Sequence, residues 1–434
     1  MSAAAPPPQP ACSVLLVAQL TPPSPLSAAR RAAGLVKYLE RLGHRVTVLT
    51  SLSSGRGSVP GAARVVRTRD LLVSRINWRR ASFEALSGGG DAGYSEPSPI
   101  AAMIVPDLAI VGWLPFALPR ALSLARRERF DCVITTSPPH SAHLVGLALR
   151  RRGIPWVADF RDGWTFESDR QEWRLEWQRA LDHRLERAVG EGADALVAVT
   201  QPIADDLGRR FGTEVATITN GFDPEEHRTL QVEEVPDLAA DRYSLLHAGR
   251  MAYAGRSPRP LLEAVEQLRN EEPALAERLE LVFAGPLSGE ERELIERPSL
   301  DGSVRAVGSL DRARTLALEQ RADALLVITS GHRRGEATQK VFEYLATGKP
   351  VLVLGEDTEA ARIVTEADGG IVTSASDPER IAASLRELVE ELDTGTTRTP
   401  RIERFSYMSL AAAMAKQVQR ARRAAASSDS TTRQ

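Results

Sequence analysis

Gly335-Glu-Ala-Thr-Gln-Lys-Val-Phe-Glu-Tyr-Leu-Ala-Thr-Gly-Lys-Pro-Val-Leu-Val-Leu354 reads as a loop, a helix and a buried strand in immediate succession. Thr338 stands where an N-cap belongs, and Phe342, Leu345 and Ala346 mark an inward face. Gly348 and Pro350 end the helix, because glycine takes the left-handed cap and proline cannot continue the ladder. The apolar run Val351-Leu-Val-Leu354 fits a strand covered on both faces, as in a parallel sheet. A helix start presents backbone N–H groups that lack intrahelical partners, and with Lys340 beside them it suits an anionic diphosphate. One turn on, Glu343 is placed to accept hydrogen bonds from vicinal hydroxyls such as those of a ribose. Together these features predict a grip on a nucleotide-sugar.

Outward from this stretch, strands and helices alternate along nearly the whole chain, the pattern of doubly wound α/β sheets. It predicts strands at 14–18, 45–50, 131–136, 155–159, 195–199 and 215–219, with helices at 28–42, 140–152, 172–191 and 202–211. Beyond Asn220-Gly-Phe-Asp-Pro224 a polar, acidic segment running to Asp241 reads as a linker. A second series predicts strands at 243–248, 279–284, 304–307 and 324–328, and helices at 259–270, 311–321 and 377–392. After a Gly-, Thr- and Pro-rich break at 394–400, residues 406–422 read as a long terminal helix. Two Rossmann-like domains facing each other across a cleft are the simplest assembly, with ligands outside the carboxyl ends of the strands.

With 434 residues the chain is long enough for two cores. Its 55 basic and 57 acidic residues leave a net charge of −2, so nothing pulls it as a whole toward nucleic acid. Cys12 and Cys132 form neither a metal spacing nor a disulfide framework, which favours a reducing, cytoplasmic setting. The Ala/Pro-rich start at 1–10 lacks the cationic region and apolar core of a signal peptide and reads as a tail. No G-x-G-x-x-G follows the first strand, which argues against a nicotinamide dehydrogenase.

Five short motifs stand in order. They are Thr135-Thr-Ser-Pro-Pro-His140, Asp159-Phe-Arg-Asp-Gly-Trp164, Asn220-Gly-Phe-Asp-Pro224, His247-Ala-Gly-Arg-Met251 and Lys340-Val-Phe-Glu-Tyr-Leu-Ala-Thr-Gly-Lys-Pro350. This series resembles the GT-B glycosyltransferases of the large retaining family 4. The resemblance implies an acceptor-binding N-terminal domain over 11–225 and a nucleotide-sugar-binding domain over 241–400. It also implies a final helix, 406–424, that crosses back to the first domain. The implied reaction moves a sugar from a nucleotide-sugar to an acceptor hydroxyl with retention, with no required metal and no cofactor beyond the donor. Family members commonly carry two glutamates separated by seven residues, but counting back from Glu343 reaches Gly335, so Glu336 is one position out of register. The usual lysine of the diphosphate clamp is replaced by Tyr253-Ala-Gly-Arg256. The first loop has Pro22-Pro-Ser-Pro in place of a Gly-Gly pair.

Within this frame Arg250, just after Gly249 at a strand mouth, would fork onto phosphate oxygens. Arg256 and Lys340 are the further phosphate candidates, Glu336 the sugar candidate, and Thr338 with Gln339 the helix-start residues beside the donor. Asn220 shapes a turn and could reach the donor. On the acceptor side His140 would donate to a sugar hydroxyl, set against a solvent-facing helix-cap histidine, while His143 reads as helix packing. Asp159, Arg161 and Asp162 could orient acceptor hydroxyls with Trp164 stacked on a sugar face, or form an internal ion network; Asp162 is the one favoured for ligand. Catalytic roles thus fall to His140, Asp162, Arg250 and Lys340. Residues 100–118 are apolar apart from Asp107, and arginines lie on both sides over 64–129. Burial of this stretch is the favoured reading, and peripheral contact with anionic lipid the other. Two alternatives to sugar transfer are a nucleotide-sugar 2-epimerase of the same fold and an inactive GT-B-like partner protein.

Overall fold

In the computed structural model the described residues are 11–24, 27–71, 103–167, 173–228, 234–251, 256–329, 333–395 and 398–431. They form two compact units, the second beginning at Asn220 and ending at Ser406, with the flanking parts of the chain in the first.

The first unit is built on seven parallel strands among the described residues: β1 (Ser13–Val17), β2 (Arg45–Ser51), β3 (Arg64–Thr68), β4 (Cys132–Ser137), β5 (Trp156–Phe160), β6 (Ala195–Ala198) and β7 (Val215–Thr217), in the order β3-β2-β1-β4-β5-β6-β7. The order reverses between β1 and β4, where Val14 lies opposite both Val46 and Cys132. The central strands are buried end to end, as a sheet covered on both faces requires. Helices α1 (Ser27–Arg41), α2 (Leu114–Arg127), α3 (His143–Arg150), α4 (Glu176–Gly192) and α5 (Gln201–Phe211) flank it.

The second unit repeats the plan with β8 (Tyr243–Ala248), β9 (Leu279–Ala284), β10 (Val304–Ala306), β11 (Ala324–Ile328), β12 (Val351–Leu354) and β13 (Gly370–Thr373), ordered β10-β9-β8-β11-β12-β13. Its helices include α6 (Arg259–Glu271), α7 (Arg312–Arg321), α8 (Gln339–Thr347), α9 (Glu359–Ala367) and α10 (Pro378–Asp393). Asp311 and Asp377 cap α7 and α10 by accepting backbone N–H bonds in the first turn. The chain ends in α11 (Tyr407–Thr431), which belongs to the first unit: Tyr407, Leu410, Met414 and Val418 share one core with α1, β1 and β2.

Periodicity missed β3, α2, α9 and β13. β3 and β13 are short edge strands. α2 carries Pro115 at its start and Pro119 inside, yet burial of Ala117, Ala121 and Leu124 beside Trp113 outweighs the lost backbone bond. Of the apolar stretch, Ala109, Trp113, Leu114 and Ala117 are therefore core, while Met103, Val111 and Pro115 are exposed. Its outer arginines differ in fate: Arg126, Arg127 and Arg129 are exposed, whereas Arg67 donates to the carbonyls of Pro22 and Gly57. Arg75, Arg79 and Arg80 lie outside the described residues, as does Tyr253-Ala-Gly255. Among the described residues no helix is long and apolar enough to cross a membrane.

Candidate donor and acceptor sites

In the second unit the strand order reverses between β8 and β11, and the loops leaving these two strands meet α8. This is where an open α/β sheet binds its ligand. β8 ends at Ala248, whose N–H donates to the Tyr344 hydroxyl of α8 at 2.9 Å. Gly249 follows with φ +104°, a conformation that disfavours side chains, and a Cβ there would stand 2.8 Å from Lys340 Nζ. Glycine is thus demanded twice, by the backbone and by the lysine.

His247, buried on β8, organises the neighbourhood. Its Nδ1 lies 3.0 Å from the Leu326 carbonyl and its Nε2 3.3 Å from the Arg250 carbonyl; the shorter contact, with the Lys340 ammonium facing Nε2, puts the proton on Nδ1. Nε2 is then a lone pair, and Lys340 Nζ at 3.3 Å donates to it. Burial, reinforced by the charges of Lys340 and Arg256, holds the imidazole pKa down at about 3. Arg250, whose carbonyl lies 3.3 Å from the same nitrogen, is itself exposed. Gly249, Arg250, Arg256 and Lys340, singled out separately in sequence, therefore gather around one neutral histidine.

Thr338 occupies the N-cap position of α8 with extended backbone, but its hydroxyl makes no capping bond; Oγ1 is buried without a hydrogen-bond partner among the described residues. Gln339 and Asn220 fasten the chain: the Gln339 amide donates to the Gly221 carbonyl, and Asn220 Nδ2 to the Ala337 carbonyl at 3.4 Å. Glu336 faces two guanidiniums, Arg256 at 3.2 Å and Arg333 at 3.1 Å. Glu343 is buried, and its carboxylate takes a bidentate bond from Arg312 at 2.9 and 3.0 Å. The same guanidinium grips Glu226 at 3.1 Å, so its strong stabilisation as a cation comes from two carboxylates working against burial. Lys340 thus pairs with His247 rather than with Glu343, although the two lie three apart on one helix.

In the first unit the reversal between β1 and β4 brings Ser137-Pro-Pro-His140 to the strand ends. His140 is not the solvent-facing cap weighed in sequence. It is 6% exposed and stacks on Trp164, ring centroids 4.8 Å apart. Trp164 is itself fully buried and donates to Asp182 at 2.7 Å, so its faces are spent on protein and the sugar-stacking expectation fails. Asp159 belongs to an internal ion network: Arg31 donates to both of its oxygens and Thr136 to one. Arg161 is likewise committed, to the carbonyls of Ser137 and Pro138 at 2.9 and 2.6 Å. Asp162 remains half-buried beside it. His143 packs in the core against Phe160, as read. Asp107, the single charge of its apolar stretch, receives the Ser141 N–H and hydroxyl at 2.9 and 2.7 Å and so fixes the turn that carries His140. That lone charge was the available signal.

Residues 28–221 match the model of the glycosyl transferase 4-like domain, and residues 242–391 that of glycosyl transferases group 1. A D-inositol 3-phosphate glycosyltransferase 1 of Catenulispora acidiphila is 30% identical over 221 residues, which are 48% of this chain and 51% of that protein. The matched stretch thus spans about half the length of the relative. Among solved structures, the sucrose-phosphate synthase of Thermosynechococcus elongatus has a TM-score of 0.57 at 16% identity, covering 97% of this chain and 98% of that one. The α,α-trehalose 6-phosphate synthase of Burkholderia multivorans has a TM-score of 0.59 at 12% identity, covering 94% and 98%. Two family models in the expected order, on two Rossmann-like units whose last helix returns to the first, make this chain a member of the group 1 glycosyltransferases of GT-B fold.

Proposed function

We propose that the protein transfers a sugar from a nucleotide-sugar to an acceptor hydroxyl with retention at the anomeric carbon. The observation carrying this reading is the gathering of Gly249, Arg250, Arg256 and Lys340 around neutral His247, at the reversal point of the second sheet and beside the start of α8. Cations and a helix N-terminus on one spot suit the two phosphates of a nucleoside diphosphate. As the bond to the sugar breaks, negative charge grows on the leaving diphosphate. Arg250 and Lys340 would stabilise it there, without a bound metal. The leaving phosphate would also take the acceptor's proton on the face it departs from. Glu343 would meet the ribose hydroxyls only by sharing its carboxylate with Arg312. His140 and Asp162 are proposed to serve the acceptor.

The test is calorimetric titration with a panel of nucleoside diphosphates and their sugars, followed by product analysis. D-inositol 3-phosphate, taken from the relative's name, belongs among the acceptors tried. Diphosphate should be released only when an acceptor is supplied, EDTA should leave the rate unchanged, and Arg250→Ala and Lys340→Ala should each lower kcat/KM at least about 100-fold, near 2.7 kcal/mol. Sugar isomerisation without an acceptor would refute transfer.

A further inference from the structure

Glu336 lies one position out of register for a sugar contact, and the structure assigns its carboxylate a different neighbour set. It sits between Arg256 and Arg333, 3.2 and 3.1 Å from a guanidinium nitrogen of each. The two arginine side chains are 8% and 10% exposed, while that of Glu336 keeps 21%. Arg333 comes from the loop after β11, and its carbonyl accepts the Glu336 N–H at 3.3 Å, so both belong to one tight turn. Arg256 comes from the loop after β8, and its charge is felt at His247, the residue that holds Lys340. Among the described residues the Glu336 carboxylate thus stands between two guanidiniums, close to the ammonium of the donor site.

We infer that Glu336 is an internal stand-in for phosphate, and that a diphosphate displaces it to be gripped by Arg256 and Arg333 together. The chemistry is matched. A guanidinium fork binds a carboxylate and a phosphoryl group through the same donors, and the phosphoryl group brings more charge and more acceptor oxygens. Two nearly buried guanidiniums are costly without a counter-ion, and Glu336 supplies one to both. When the ligand arrives, the most exposed member of the triad is the one able to turn away. Exchange of one anion for another would also select for ligand charge: a dianionic phosphoryl group competes with the carboxylate, while a singly charged ligand has little advantage over it. Arg333 thereby adds a cation to the phosphate candidates Arg250, Arg256 and Lys340.

This inference rests on the donor site proposed above, and inorganic pyrophosphate probes it without knowledge of the nucleotide or sugar. Titration calorimetry on the full chain should give weaker pyrophosphate binding, by at least about tenfold, in Arg333→Gln and in Arg256→Gln. Glu336→Gln keeps the shape but removes the competitor. It should bind pyrophosphate several-fold more tightly, while its ligand-free melting temperature falls and pyrophosphate restores it. Inorganic phosphate should gain by a similar factor from Glu336→Gln, because either anion must displace the same carboxylate. Weaker pyrophosphate binding in Glu336→Gln would overturn the stand-in, and unchanged binding in Arg333→Gln would overturn the grip. Folding of each variant is read from its circular dichroism. If Lys340→Ala and Arg250→Ala keep wild-type pyrophosphate affinity while the Arg333 variant loses it, the donor reading falls and the anion exchange stands.

Discussion

Gly249, His143, His247 and Asp159 each tie a single residue to measurable behaviour. Gly249→Ala would push a methyl group against Lys340 Nζ, at a position whose φ of +104° already disfavours a side chain. Lys340 must swing off His247, so the donor KM should rise at least about tenfold, with a stability loss of about 1 kcal/mol. Steady-state kinetics beside a thermal melt separates the two effects. His143 and His247 are both neutral in the fold because burial holds each pKa at about 3. Unfolding lets both return to the ordinary histidine value of 6.5, so the unfolded chain binds more protons below that pH. Their stabilisation is therefore complete above about pH 6.5 and is lost on acidification toward pH 3, at up to about 1.4 kcal/mol per pH unit for each histidine. Denaturant midpoints should begin to fall near pH 6, well above the carboxylate range, and His143→Phe should flatten that slope. For Asp159, burial alone would raise the pKa, but the Arg31 charge and hydrogen bonds, the Thr136 hydroxyl and the Arg161 charge together lower it. Asp159→Asn strands the buried Arg31 and should cost about 3–5 kcal/mol by urea unfolding, an effect that shrinks only at acid pH as wild-type Asp159 protonates.

At the scale of elements, α11 matters most. It follows the second unit in sequence yet closes the core of the first, laying Tyr407, Leu410, Met414 and Val418 against α1 and the sheet. The contact is close because α1 offers Gly34, where a Cβ would stand 2.4 Å from the Tyr407 ring. Gly34→Val must pry the two helices apart, at about 1–3 kcal/mol by the usual cost of overpacking. Tyr407→Ala in the same chain should recover part of that loss, since the wedge then has room. A double-mutant cycle followed by thermal unfolding checks both. Were the two changes additive, the helices would not meet through this pair.

For the whole molecule, the separate sheets and cores of the two units lead to an uneven response to ligand. A bound nucleoside diphosphate stabilises the state that holds it by mass action. Hydrogen exchange should slow in β8, β11 and the first turn of α8, with much smaller changes in β1 to β3. Equal protection in both sheets would place the anion elsewhere. The site's chemistry spans residues 226–343, more than a hundred positions brought together by a sheet whose neighbours are distant in sequence.

Much of this was legible in the sequence because it depends on local physics. The alternation of strand and helix, the end of α8 at Gly348 and the buried run of β12 all follow from side-chain period and backbone preference over a few residues. Motif order likewise picked out Gly249, Arg250, Arg256, Lys340 and His140 without showing which partners each would find. Tertiary structure alone decided those partners. Glu343 lies opposite Arg312, Glu336 between Arg256 and Arg333, Lys340 against His247, and Trp164 beneath His140. The reason is physical: a charged or aromatic side chain must satisfy itself with whatever the parallel crossovers bring within reach, and those neighbours come from strands and loops far away along the chain.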